Sequence, residues 1–315
     1  MTNITSLLEF EHGITAIDTD YVRPLLDASH LIMRDGRAAF VDTGTTHSVP
    51  KLLATLEQKN IPRAAVDYVL LTHVHLDHAG GAGELMRHLP NAKALVHPRG
   101  AAHMIDPSKL IAGTKAVYGD AEFMRLYGEI PPIPAERVLT VADDTRVQLG
   151  NSELLFIHTP GHALHHYCIV DSESRSVFTG DTFGISYRIF DTDKGAFIFP
   201  ATTPVHFDPQ QAHASLDRIM SFEPEACFLT HYSRVSDLSR LVADMHAGID
   251  AHVEIARSCA ASQDRIAAMK PKLHAWLVQQ VREHGCILDQ DTVDTWLKMD
   301  VDLNAKGLAV WLDRT

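Results

Sequence analysis

Short apolar runs bounded by turn residues alternate with stretches where apolar residues recur every three or four positions. The two patterns trade places through the first three quarters of the chain. Asp35-Gly36 is a hairpin signal, and Ala38-Ala39-Phe40-Val41 follows it as a strand. Val49, Leu52, Leu53 and Leu56 then recur at helical spacing behind Ser48, whose hydroxyl suits a helix N-cap. Residues 66–72 form an apolar run of the length of a buried strand. A helix over residues 84–89 stops at Pro90. Ala94-Leu95-Val96 reads as another strand, and residues 98–126 as helical and irregular. Pro131, Pro132 and Pro134 mark an ordered crossing loop. Residues 137–180 return to strands and turns, ending with strand Val177-Phe178-Thr179. A helix over 209–221 leads to a strand over 226–230.

From about Val235 the period is helical to the end. Leu241, Val242, Met245, Ile249, Val253 and Ala256 share one face. A second helix spans 266–284 with Gly285 as its natural stop, and Pro271 either kinks it or marks its start. Residues 291–297 and 303–312 read as two shorter helices. The expected organisation is one domain over residues 1–234 and a helical extension over 235–315. A helical extension of this kind either covers a pocket or makes a homodimer contact, and the sequence does not choose.

Composition narrows the field. Apolar residues make up 45% and charged residues 22%, the balance of an ordinary globular chain. A net charge of −12 repels phosphate backbones and argues against non-specific nucleic-acid binding. Residues 1–10 lack a basic region followed by an apolar run, and no apolar stretch is long enough to span a membrane, so neither a signal peptide nor a membrane anchor is expected. Cys168, Cys227, Cys259 and Cys286 form no C-x-x-C pair and read as small buried residues in a reducing cytoplasm. Histidine is the outlier, with 20 residues in 315, and its positions carry the chemistry.

One event recurs along the chain: a strand ends and a histidine or aspartate follows, at Asp42, His73, Asp181 and His231. Side chains carried at strand ends share one edge of a sheet and are held rigidly. The hexapeptide His73-x-His75-x-Asp77-His78 packs four candidate ligands into one turn, and neutral imidazole with carboxylate suits zinc and similar ions. Thr159-Pro160-Gly161-His162 presents one imidazole on a tight turn. With Asp181 and His231 the set reaches seven, enough to share two metal ions.

These motifs, with Asp42-Thr43-Gly44 on an earlier strand, resemble the metallo-β-lactamase superfamily. The resemblance spans residues 42–231 and implies an α/β fold, a four-layer αββα sandwich, here followed by the helical extension. It implies that His73, His75 and His162 bind one metal and Asp77, His78 and His231 a second, with Asp181 bridging both. Two Zn²⁺ are the implied ions, with Fe or Mn as alternatives. A bridging hydroxide is then the nucleophile on an ester, lactone, thioester or phosphodiester, and Asp77 or a metal-bound water passes a proton to the leaving group. Asp42 orients a ligand from behind, and His166, four residues after His162, looks structural as in the glyoxalase II branch. His158 and His165 receive no role, while His97 and His103 are placed near the pocket rim.

The branch is less defined. Val96-His97-Pro98-Arg99-Gly100, the Gly161 to His166 stretch and the ending Leu303-Asn304-Ala305-Lys306-Gly307-Leu308 look like an uncharacterised group of bacterial and archaeal hydrolases with a helical tail. Thr182-Phe183-Gly184 replaces the tyrosine that lactonases of the superfamily place after the bridging aspartate. Arg257, Lys270 and Lys272 do not clearly match the basic residues with which glyoxalase II meets a glutathione carboxylate. Phe183, Tyr187, Phe197 and Phe199 are expected to wall a substrate pocket for a small apolar molecule. Two other readings stand beside the hydrolase: a mononuclear iron persulfide dioxygenase of the same fold, and a regulatory member whose role needs no turnover.

Overall fold

The computed structural model describes residues 7–315 other than Pro204. Of the N-terminal stretch considered for a signal peptide, residues 1–6 lie outside the described residues, as does the last residue of the aromatic segment 183–204. Among the described residues the strands form two sheets. The first carries seven strands in sequence order: β1 (Leu7–Phe10), β2 (Ile14–Asp18), β3 (Ala28–Arg34), β4 (Arg37–Val41), β5 (Val66–Leu70), β6 (Lys93–Val96) and β7 (Val138–Thr140). The second carries β8 (Thr145–Leu149), β9 (Ser152–His158), β10 (Tyr167–Asp171), β11 (Ser176–Gly180), β12 (Ala226–Leu229) and β13 (Ser233–Val235), in reverse order across the sheet. β4 to β7 pair in parallel, as do β11 and β12, and the remaining neighbours are antiparallel.

The helices are α1 (Val49–Gln58), α2 (Leu76–Ala79), α3 (Ala82–His88), α4 (Ala101–Ile105), α5 (Ser108–Tyr118), α6 (Asp120–Tyr127), α7 (Pro209–Met220), α8 (Leu238–Ser258), α9 (Arg265–Glu283) and α10 (Gln290–Leu312). Strand periodicity of two explains the layering. In β4, Ala39 and Val41 point between the sheets, while Ala38 and Phe40 point outward to Val49, Leu52 and Leu56 of α1. In β9, Leu154 and Phe156 join the inter-sheet core, while Leu155 and Ile157 face the cluster built by α7 to α10. Both faces of both sheets are thus apolar, and the result is the expected αββα sandwich with helices continuing at the C-terminal end.

Asp35 and Gly36 turn β3 into β4, both with left-handed φ (45° and 74°), as a two-residue hairpin requires. Three local expectations change. Ser48 stands at the N-cap of α1 as expected, but its hydroxyl makes no capping bond to that helix: it ends a 3₁₀ turn over Thr46–Ser48, accepts from Thr45 N (3.3 Å) and donates to Thr19 O (3.0 Å). α9 begins at Arg265, capped by Asp264, which accepts from Ala267 N at 3.0 Å, so Pro271 lies inside the helix. The two short helices expected at the end are one, α10. Asp300, in the expected gap, and Asn304, just beyond it, are both buried and both bonded to the core.

β13 runs across the residue 234/235 boundary expected between domain and tail, and the tail helices share one apolar cluster with the second sheet. Asn304 clamps them together. Its Oδ1 accepts from Thr202 N at 2.7 Å and its Nδ2 donates to Pro200 O at 3.0 Å. Asn304→Ala leaves two buried backbone groups without this partner, which costs roughly 2–4 kcal/mol. Urea unfolding should show a lower midpoint at unchanged slope, and an unmoved midpoint would refute the clamp.

Candidate metal centre

The parallel strands carry the centre on their C-terminal ends. Asp42 follows β4 and His73 follows β5 after two residues, so the hexapeptide leaves the first sheet and winds into α2. Asp181 follows β11 and His231 lies just past β12 in the second sheet, while His162 sits on the β9–β10 turn. Gly161, at φ 128°, packs so closely on α7 that a Cβ there would meet Ala212 N at 2.4 Å, which makes that turn a glycine position. All seven sequence-predicted ligand residues converge. His73, His75 and His162 bring nitrogens within 4.8 Å of one another, as do the ligating atoms of Asp77, His78 and His231, and those of His73, His78 and Asp181.

Each half has its own geometry. His75 Nδ1 lies 2.9 Å from His73 Nε2 and 3.1 Å from His162 Nε2. These separations are close to the edge of about 3.3 Å that tetrahedral zinc–nitrogen bonding sets. In the other half, His78 Nε2 is 3.8 Å and His231 Nε2 3.6 Å from Asp77 Oδ2. Asp181 stands between the halves. Its Oδ2 is 3.4 Å from His162 Nε2, and its Oδ1 is 3.2 Å from His78 Nε2 and 3.6 Å from His231 Nε2.

The groups behind these rings fix their tautomers. His162 Nδ1 donates to Ala201 O (3.1 Å), His231 Nδ1 to Leu26 O (2.9 Å) and His78 Nδ1 to Asp42 Oδ2 (2.9 Å). Thr72 Oγ1 donates to Asp42 and so accepts from His73 Nδ1 at 3.2 Å. His73, His78, His162 and His231 therefore turn Nε2 inward. His166 stands behind Asp181: its Nε2 accepts from Asp181 N (3.2 Å), and its Nδ1 meets Thr159 and Thr182 hydroxyls.

This arrangement fits a cation. One proton on His75 Nδ1 satisfies only one of its two nitrogen neighbours, so at least one pair of lone pairs is left opposed. His78 Nε2 and Asp181 Oδ1 are buried and, among the described residues, have no hydrogen-bond partner. Buried polar atoms of this kind carry a desolvation cost that a bound ion removes.

Electrostatics divide the centre. Burial, then neighbouring histidines, hold His73 well below the usual imidazole range and push His75 down to about 3; burial also lowers His162. Burial works in the same direction on His78 and His231, but Asp181 and Asp77 overcome it. They hold His78 well above its ordinary value and lift His231 to about 10. For Asp77 burial opposes charge and His78 and His231 win, bringing it down to about 2; Asp181 is likewise held low.

The remaining predicted residues divide. Asp42 bonds His78 and His166 bonds the Asp181 backbone, both behind the candidate ligands. Phe183, Tyr187 and Phe199 are fully buried, and Phe197 nearly so, in the cluster shared with the tail; they do not line the small cavity beside His162 and Asp181. Tyr187 donates to Asp300 (3.1 Å) and packs on Trp296, so α10 covers the face expected to be open. His97 pairs with His158 at 4.5 Å between rings. His165 is nearer the centre than expected, 5.6 Å from the His75 ring. Tyr21 and Tyr127 were not singled out by sequence pattern. Their hydroxyls meet at 3.1 Å, and burial, with the nearby Asp77 charge, raises both pKa values.

Residues 23–231 match the metallo-beta-lactamase superfamily, and the chain belongs to that superfamily. The metallo-beta-lactamase fold-containing protein ST1585 of Sulfurisphaera tokodaii is 26% identical over 71% of this chain and 79% of its own length. Hydroxyacylglutathione hydrolases of Aeromonas hydrophila and Xanthomonas euvesicatoria are 27% and 30% identical over 66% and 65% of this chain. The matches span 62% and 59% of those two enzymes, less than two thirds of their length. The crystal structure of TTHA1429 from Thermus thermophilus superposes with a TM-score of 0.67 at 18% identity, covering 96% of this chain and 93% of that one. The fold likeness therefore includes the helical tail.

His231 keeps its proton up to about pH 10 in the metal-free chain, and His78 is also held protonated. His75, pushed down to about 3, and His73, held well below its ordinary value by burial and its imidazole neighbours, are neutral at pH 7. Filling the His73–His75–His162 half at pH 7 should release no proton, whereas filling the other half should release about two. Calorimetric titration in buffers of different ionisation enthalpy reads this, and a second event with no proton release would contradict the assignment.

Proposed function

We propose that this chain is a dinuclear metal-dependent hydrolase of an ester, lactone, thioester or phosphodiester. The observation that supports it most directly is Asp181, with one carboxylate oxygen turned to each half of the histidine cluster. Divalent ions in such a site, zinc by donor chemistry with iron or manganese as alternatives, acidify water and act as Lewis acids on the scissile group. His73, His75 and His162 would hold one ion, Asp77, His78 and His231 the other, and Asp181 both. Asp42 and the carbonyls of Ala201 and Leu26 aim three of the imidazoles, so less ordering is left for binding. His166 fixes the Asp181 backbone. Asp77, the more exposed carboxylate and ionised at neutral pH, would accept the proton that the attacking water loses and pass it to the leaving group.

The relatives named hydroxyacylglutathione hydrolases support a thioester first among these substrates. Glutathione itself has less support. Arg257 stacks on Trp311, Lys270 pairs with Asp302, and Lys272 bonds Ser258, so all three basic residues are engaged within the tail. The net charge of −12 favours a small molecule over nucleic acid, and four free, buried cysteines are in keeping with a cytoplasmic setting. Mass spectrometry of the protein purified without added metal should find close to two zinc ions per chain. One iron per chain would replace this reading with the dioxygenase. Asp181→Ala should lower hydrolysis of generic thioesters and esters by roughly a hundredfold or more, and retained activity would sink the role given to Asp181.

A further inference from the structure

α7 and α8 pack together beside the candidate centre. Ala212 of α7 and Met245 and Ile249 of α8 line the small cavity that also touches His162 and Asp181. The residues next to them in sequence build a second cluster, partly open to solvent. His213 and Asp217 are four apart on α7, and His246 and Asp250 four apart on α8, so each helix presents its pair on one face. The pairs interlock. His213 Nε2 lies 3.1 Å from Asp250 Oδ1, and His246 Nε2 lies 3.3 Å from Asp217 Oδ1. The rings lie nearly coplanar and edge to edge, with 4.9 Å between centroids and 10° between planes. Their Nδ1 atoms face each other at 2.6 Å.

A neutral imidazole carries one N–H, and an ionised carboxylate only accepts. His213 Nε2 donates to Asp250, and with His246 Nε2 turned to Asp217 in the same way each Nδ1 presents a lone pair to the other. Lone pairs at that separation repel, so a positive species belongs between them. Histidines whose far nitrogen is tied to a carboxylate are the usual way proteins orient imidazole toward a metal.

We propose that His213 and His246 form a peripheral metal site for one borderline divalent cation of the Zn²⁺, Ni²⁺ or Cu²⁺ class, which imidazole nitrogen favours. Nδ1 of each ring is a ligand, Asp250 and Asp217 hold the rings, and water completes the coordination. Tetrahedral bonds of about 2.0–2.1 Å require the nitrogens to part to about 3.3 Å. Both side chains are about 30% exposed, so ring rotation can supply that movement. The four residues are distinct from the candidate centre. A cation here ties α7 to α8, the first helix of the tail, at the crossing whose neighbouring residues wall the cavity beside His162 and Asp181.

The test titrates Zn²⁺ calorimetrically into protein already equilibrated with Zn²⁺ and freed of excess by gel filtration. One further equivalent should bind to the unaltered chain and be lost in His246→Ala and in His213→Gln. The zinc retained through gel filtration should be equal in all three, which also reports that the variants fold. Added Zn²⁺ should raise the melting temperature of the unaltered chain and leave both variants unmoved. The readout is a difference between chains, so it stands whatever the main centre holds. No further equivalent in the unaltered chain means a shared proton fills the gap and overturns the site; an equivalent that persists in both variants also overturns it.

Discussion

The buried carboxylate of Asp42 holds together the edge on which the centre is built. It accepts from Thr72 N (2.8 Å), the Thr72 hydroxyl, His78 Nδ1 (2.9 Å) and the Thr230 hydroxyl (2.9 Å). Thr72 follows β5, Thr230 follows β12, and His78 lies in α2, so one side chain joins both sheets to the histidine motif. The backbone of Asp42 is left-handed (φ 55°), a conformation aspartate tolerates better than most residues. Full burial of a carboxylate is costly, and these donors offset it. Because the same donors then lack other acceptors, position 42 couples the stability of the sheet edge to the aim of His78.

From that edge the centre acquires an electrical asymmetry. His73 and His75 lie deep among other imidazoles and are driven neutral. His78 and His231 face Asp77 and Asp181 and are driven charged. The metal-free chain thus contains a cup of neutral nitrogens beside an internal salt-bridge network. A cation entering the cup displaces nothing, while one entering the network competes with protons. Asp181 belongs to both halves, so occupation of one side changes the field felt by the other.

The features legible in sequence were those with a local cause. Strand ends, the Asp35-Gly36 hairpin and the hexapeptide all follow from patterns a few residues long, and the structure has them where expected. What escaped depended on distant partners. The gap expected between residues 297 and 303 is helical, and Asp300 within it is a buried acceptor for Tyr187, more than a hundred residues away in sequence. The aromatic segment after Asp181 was legible as apolar, but composition cannot tell a pocket wall from a face that another helix covers, and α10 covers it. Tyr21 of the β2–β3 loop and Tyr127 at the end of α6 come together from distant parts of the chain, so no periodicity marks them. The candidate ligand set was readable because its members sit at element ends or tight turns; its surroundings were not, because tertiary packing supplies them.

The tail belongs to this set of surroundings. Asn304 of α10 holds Thr202 N and Pro200 O, the backbone on either side of Ala201. The Ala201 carbonyl is the acceptor that fixes the tautomer of His162. α10 can approach so closely because Gly307 faces this strand of chain; a Cβ there would sit 1.7 Å from Thr202 O. Gly248 of α8 plays the same part against Pro200, with a Cβ 2.8 Å from its ring. Two glycines and one asparagine of the tail therefore set the position of a carbonyl that aims a candidate ligand. A change confined to the tail can reach the centre through these contacts without touching any residue of the histidine cluster, and the tail is in that physical sense part of the site's scaffold.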